Sequence, residues 1–330
     1  MSRLYRLSVI LLIMIGLAAC SGETDVPAET EAELEKLSLP MGYIADPQYA
    51  PYYVAAAKGY FAEAGYDIEF DYSFETDGMA LVGANERPFA IVSGEQVILA
   101  RAQELPVVYV LEWFQKFPIV IVSKAEAGIA SPADLVDRNV GLPGFFGASY
   151  VGYVGLLNAN GIEPTEVNAT EIGFTQVEQL SNDNVEAVIG YANNEPLQLA
   201  GQGFDINVIN VSDYIDMVAN GIITNETMIA EQPERVEAFV GAVLRGLADT
   251  LADPEEAFTI SEDYVEGLSE ERRPVLDASL PLWDAATLGE TSPESWEQTQ
   301  EVLLGMGFLD APLADLSAAY TNQFVDAAQP

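Results

Sequence analysis

The sequence contains no histidine, and its one cysteine, Cys20, stands near the start of the 330-residue chain. With Cys20 assigned to lipid attachment below, thiol nucleophiles, His-based acid/base chemistry, His-containing triads and Cys/His zinc sites are all excluded. Basic side chains are scarce too: 13 Lys and Arg stand against 52 Asp and Glu, a formal net charge of −39. Such a field repels phosphate backbones and anionic headgroups, so neither nucleic acid nor a lipid surface is an expected partner. Phosphate cradles are also missing. Gly141, Gly144 and Gly147 do not have the G-x-G-x-x-G spacing, and no Gly-Lys pair occurs. Ser149 lies outside a G-x-S-x-G elbow and has no His to serve it, which argues against a nucleophile. Apolar residues are plentiful at 49%, so the roughly 290 residues of the body can bury a large core.

The start of the chain reads as an export signal over residues 1–19. Arg3 and Arg6 precede an apolar run from Val9 to Ala19, which is shorter than the roughly 20 residues that span a bilayer. Leu17-Ala18-Ala19-Cys20 resembles the bacterial lipobox, whose Cys becomes the diacylated first residue of a lipoprotein. The alternative is an ordinary signal or short anchor with an incidental Cys. Residues 20–36, polar and acidic, read as a lipidated tether. The expected location is the cell membrane, with the protein anchored on the extracytoplasmic face by lipid alone.

The stretch from Leu37 to Tyr72 organises the rest of the chain. Leu37, Leu39, Met41 and Tyr43 alternate with less apolar neighbours, predicting a strand. Pro51 opens a helix expected to run to Ala64, where Gly65 stops it. Ile68, Phe70 and Tyr72 then alternate with Asp67, Glu69 and Asp71 as a second strand. Strand, loop, helix and strand make a βαβ unit, which places the loop from Ala45 to Pro51 at the carboxyl edge of a parallel sheet, where α/β folds bind ligands. A second βαβ unit is expected from Phe89–Val92, the helix Gln96–Gln103 and the apolar strand Val107–Leu111. Further strands follow at Pro118–Val122, Val140–Leu142, Glu171–Phe174, Ala187–Tyr191 and Val208–Val211. After Ile223 the pattern is mostly helical, ending in a helix expected over Leu313–Ala328.

Several of these segments together resemble the solute-binding proteins of ABC importers: Ala45–Phe70, Ser93-Gly94-Glu95-Gln96, Ser131–Leu135, Gly144–Ser149, Tyr191–Pro196, Ile223–Glu226 and Gln232–Val236. More narrowly they resemble the family that includes binders of thiamine pyrimidine precursors, aliphatic sulfonates and riboflavin. The likeness covers roughly Leu39 to Ile260. It implies an α/β, two-lobed periplasmic-binding-protein fold of type II with the ligand in a cleft between lobes. One lobe is then residues 37–118 plus 218–330, the other residues 119–217. It also implies ABC permease and ATPase subunits as partners, and a small aromatic solute. Eukaryotic pyrimidine synthases share the fold but rely on histidine and a cysteine-rich motif, both missing here.

The strand ends then supply candidate contacts: Asp46 and Tyr49, Ser93 and Glu95, Trp113 and Phe114, Phe145, Phe146, Ser149 and Tyr150, and Tyr191, Asn193, Asn194 and Glu195. Aromatic rings suit a flat heterocycle, and Asn and Glu supply the donors and acceptors a neutral one needs. Each ring could instead belong to the core, and Asn193–Glu195 could merely cap a helix. Lys116 is the one cation near these positions, a poor match for sulfonate or phosphate. Riboflavin and a thiamine-type aminopyrimidine remain rivals, with riboflavin preferred. A different class also stands: an enzyme using Glu95 and Glu195 across the cleft as acid and base. No metal or cofactor is expected.

Overall fold

The computed structural model describes residues 34–328, so Cys20 and the leader expected over residues 1–19 lie outside it. Strand β1 (Glu35–Gly42) runs parallel to β2 (Tyr66–Phe74), and Leu37, Leu39 and Met41 are buried as their alternation predicts. Pairing of Glu35 and Lys36 with Tyr66 and Asp67 starts the strand two residues early, so the end of the expected 20–36 tether belongs to the sheet. Between the strands, Asp46 caps a 3-10 turn, Pro47–Tyr49, that leads into α1 (Ala50–Ala57). The single helix expected to Ala64 is broken: Gly59 takes φ 78°, and a separate turn of helix, α2 (Tyr60–Glu63), comes after it.

Next come α3 (Glu75–Gly83), β3 (Ala90–Ser93), α4 (Gly94–Ala102) and β4 (Val107–Glu112). The chain then builds a sheet of its own from β5 (Ile119–Lys124), β6 (Asn139–Leu142), β7 (Asn168–Glu171), β8 (Ala187–Tyr191) and β9 (Ile206–Asn210), in the order β7-β6-β8-β5-β9. Helices α5 (Gly147–Ala159), α6 (Gln176–Ser181) and α7 (Glu195–Gly201) start just after β6, β7 and β8. β6 is parallel to β7 and β8, whereas β5 is antiparallel to β8 and β9. The carboxyl ends of β6, β7 and β8 therefore share one edge.

Strand β10 (Asn220–Asn225) returns to the first lobe and inserts between β3 and β4, antiparallel to both. The second βαβ unit is thus corrected: β3 and β4 point the same way but are not neighbours. All three strands are buried throughout, so the apolar runs of β3 and β4 report double-sided burial and not which strand lies beside which. Six helices complete the chain: α8 (Glu226–Glu231), α9 (Pro233–Ala252), α10 (Pro254–Ser261), α11 (Arg273–Trp283), α12 (Pro293–Gly305) and α13 (Gln323–Ala328). α9 buries Val236, Phe239, Val240, Val243 and Leu247 on one face, as their spacing predicts. The helix expected from Leu313 is shorter, since only a 3-10 turn, Leu316–Ala319, precedes α13. Among the described residues no helix is long and apolar enough to cross a membrane.

Candidate ligand-binding site

The strand ends of the two lobes face each other across a cleft of about 950 Å³, counting its open mouth. The first lobe contributes Tyr43 and Tyr49 after β1, Phe74 and Glu75 where β2 hands over to α3, and Trp113 and Phe114 after β4. The second contributes Phe146 and Ser149 after β6, Phe174 and Gln176 after β7, and Tyr191, Asn194 and Glu195 after β8. Tyr49 stacks on Trp113 with ring centres 5.4 Å apart, and its hydroxyl donates to the Met41 carbonyl at 2.8 Å. Phe114 meets Trp113 edge-on at 4.6 Å and reaches Tyr191 of the other lobe at 6.4 Å. At the mouth Phe74 and Phe174 stack across the gap at 6.5 Å, although they are 58% and 57% exposed. Phe146 beside them is 55% exposed. Apolar rings grouped in water around a cleft mark a surface that meets an apolar partner.

Polar groups sit among the rings. Glu75 accepts from Asn220 Nδ2 at 2.8 Å, from the Ser93 amide at 3.2 Å and from Gln96 Nε2. The Ser93 hydroxyl lies 2.8 Å from Glu75 Oε2 and 2.6 Å from Glu95 Oε1, with one proton to give. Both contacts are hydrogen bonds only when one carboxyl keeps its own proton. Burial, reinforced by the neighbouring Glu75 charge, pushes the Glu95 carboxyl up to about 8, so Glu95 is the protonated partner at neutral pH. It donates to Ser93, and Ser93 donates to Glu75. Glu195 accepts the Tyr191 amide at 2.7 Å, and burial pushes its carboxyl up to about 7. Gly190 makes room for it, because a Cβ there would lie 2.4 Å from Glu195 Oε2.

Of the residues singled out in the sequence, Tyr49, Trp113, Phe114, Phe146, Ser149, Tyr191, Asn194 and Glu195 line this cleft. Others do not. Ser93 and Glu95 are buried behind the wall and act through Glu75. Phe145 turns away to pack edge-on against Tyr150 at 5.4 Å, and Tyr150 in turn packs on Phe308. Asp46 lies in an adjoining outer chamber, bonded to Arg272. Asn193 is fully buried and donates across the lobes to Ser279 Oγ at 2.7 Å. Glu95 and Glu195 each bond within their own lobe, so the acid/base pair of the alternative enzyme reading is not assembled. Lys116 is exposed and lines neither space, and the cation nearby is Arg272. Sequence reasoning passed over Tyr43, Phe74, Glu75, Gln96, Phe174, Gln176 and Asn220. Glu75 and Gln176 come after strand ends and could have been found by that rule; Asn220 could not, because its position depends on the β10 insertion. Among the described residues no group of His, Cys, Asp and Glu is placed to hold a metal ion.

Residues 46–257 match the family described as NMT1/THI5 like. The chain belongs to the NMT1/THI5-like family. Among its relatives, the riboflavin-binding protein RibY of Chloroflexus aurantiacus is 41% identical over 98% of this chain and 99% of its own. A formylaminopyrimidine-binding protein of Halalkalibacterium halodurans is 28% identical over 94% of this chain and 96% of its own. A 4-amino-5-hydroxymethyl-2-methylpyrimidine phosphate synthase of Legionella pneumophila is 22% identical over 88% and 92%. Among solved structures, the periplasmic aliphatic sulphonate binding protein SsuA of Escherichia coli superposes with TM-score 0.71 at 14% identity, covering 86% of this chain and 91% of that one. The NMT1/THI5-like chain thus has the two-lobed periplasmic-binding-protein fold.

Proposed function

We propose that this NMT1/THI5-like chain is the solute receptor of an ABC importer and that it closes on riboflavin. The observation that carries the reading is the continuous aromatic lining, running from Trp113 and Tyr49 in the interior to Phe74 and Phe174 at the mouth. A fused, flat ring system covers that surface better than one pyrimidine ring does, because it stacks over a larger aromatic area. The high identity to a riboflavin-binding relative over nearly the whole of both chains supports it. Glu75, Gln96, Asn194 and Asn220 give a neutral heterocycle acceptors and donors. Residues 37–118 with 218–330 form one closing body and residues 119–217 the other. The cross-lobe bonds of Asn193 to Ser279 and of Tyr191 to Asn220 fit the closed state.

The protein is read as a receptor and not an enzyme, since Glu95 and Glu195 do not converge on one substrate position. Incubating the protein with riboflavin and recovering the flavin by chromatography tests this. One flavin bound per chain, returned unchanged and accompanied by contraction in small-angle scattering, is the expected result; conversion of the flavin contradicts the receptor.

Cys20 is proposed as the lipid attachment site that holds the receptor beside its permease. Cys20→Ala is expected to move the protein from the membrane fraction to the soluble one with flavin affinity unchanged. Equal membrane retention of both forms rules the anchor out.

A further inference from the structure

Tyr43, Phe174, Gln176, Asn194 and Glu195 border a second space besides the aromatic cleft, so a ligand whose rings fill the cleft can extend an arm past them. This outer chamber is the larger by the same measure, about 1520 Å³ against 950 Å³ with open mouths counted. Its character is different. Beyond the shared Tyr43 and Phe174 it has no aromatic ring, and its far side carries the amides of Asn182, Gln198 and Gln202 and the hydroxyl of Ser181. Gln176, on the shared border and 6% exposed, makes no side-chain hydrogen bond within the described residues. An amide that borders the cavity without a protein partner is an opening for a ligand hydroxyl, which can give and accept at once.

The charges in the chamber are one-sided. Asp46, Glu178 and Glu266 face a single cation, Arg272, and Arg272 is already bonded to Asp46. We propose that the outer chamber is a subsite for an uncharged, hydroxyl-rich arm of the ligand, and that its acidic rim rejects the same arm once it carries a phosphate. This rests on the flavin reading and adds to it. A phosphate monoester brings close to two negative charges into a space with no free cation, whereas a polyol finds amides on several sides.

The test compares three flavins sharing one ring system: lumiflavin, with a methyl in place of the polyol, riboflavin, and riboflavin 5′-phosphate. Each is titrated against the wild-type chain and against Glu178→Lys/Glu266→Lys, which alters only exposed positions. Loss of the arm is expected to weaken binding by about tenfold or more, the scale of one or two net hydrogen bonds. Phosphate is expected to cost a similar factor relative to riboflavin, and the double variant to recover most of it while lumiflavin affinity stays put. The unmoved lumiflavin value also shows that the variant is folded. Lumiflavin binding as tightly as riboflavin overturns the subsite while leaving the flavin reading intact, and so does a phosphate penalty that charge reversal does not touch. If no flavin binds at all, the flavin reading fails and the subsite falls with it.

Discussion

The empty protein is expected to lose several kcal/mol of folding stability as the pH rises from about 5 to about 8, the reverse of the usual acid sensitivity. Burial holds the carboxyls of Glu95 at about 8 and of Glu112 and Glu195 at about 7, against an ordinary value of 4.5. Below the ordinary value these groups are protonated in the folded and unfolded chains alike, and no penalty arises. Between that value and the raised ones, the unfolded chain releases protons that the folded chain retains, so each step in pH favours unfolding. Holding one carboxyl protonated for a further pH unit costs about 1.4 kcal/mol. Above the raised values the loss is complete. Repulsion within a chain of net charge −39 acts with the same sign. Glu186 and Asp249, whose carboxyls ion pairs and hydrogen bonds hold low, matter only at more acid pH. Urea midpoints taken across the window measure the slope, and Glu95→Gln, which keeps the shape and cannot ionise, is expected to flatten it. Stability that climbs from pH 5 to pH 8 contradicts the assignment of a protonated Glu95 to the Glu75–Ser93 chain.

Trp113→Ala and Phe174→Ala are expected to separate core from contact. Trp113 is 2% exposed, stacked on Tyr49 and on Trp283 and met edge-on by Tyr52 and Phe114. Truncation there removes packing as well as the cleft wall, with a stability loss of roughly 3 to 5 kcal/mol and flavin affinity down about a hundredfold. Among the described residues the ring contacts of Phe174 are with Tyr43 and Phe74, and it stands mostly in water. Its truncation is expected to leave the urea midpoint in place and weaken riboflavin by about tenfold, the scale of one stacked ring. An unchanged affinity for Phe174→Ala would remove the mouth from the site.

Local signals were legible where one strand and one loop sufficed. The alternation of Leu37, Leu39 and Met41 and the βαβ spacing put Tyr49 at a strand end, where it lines the cleft, and the apolar runs before Trp113 and Tyr191 marked two further strand ends. What stayed hidden was non-local. Glu75 takes its position from Ser93, Gln96 and Asn220, and Asn220 reaches it across 145 residues because β10 inserts between β3 and β4. Adjacent residues were equally opaque: Phe146 faces the cleft while Phe145 packs on Tyr150, and Asn194 lines it while Asn193 bonds to Ser279. In an extended loop successive side chains point to different sides, and only the settled backbone decides which one meets the ligand.

Whether the aromatic cleft holds a flavin is tested most directly by fluorescence titration of riboflavin with the protein, with a thiamine-type aminopyrimidine as competitor. Quenching is expected to saturate at one flavin per chain and to persist in the presence of excess aminopyrimidine. Riboflavin fluorescence that stays unquenched, or is restored by a modest excess of the pyrimidine, would contradict a flavin in the cleft.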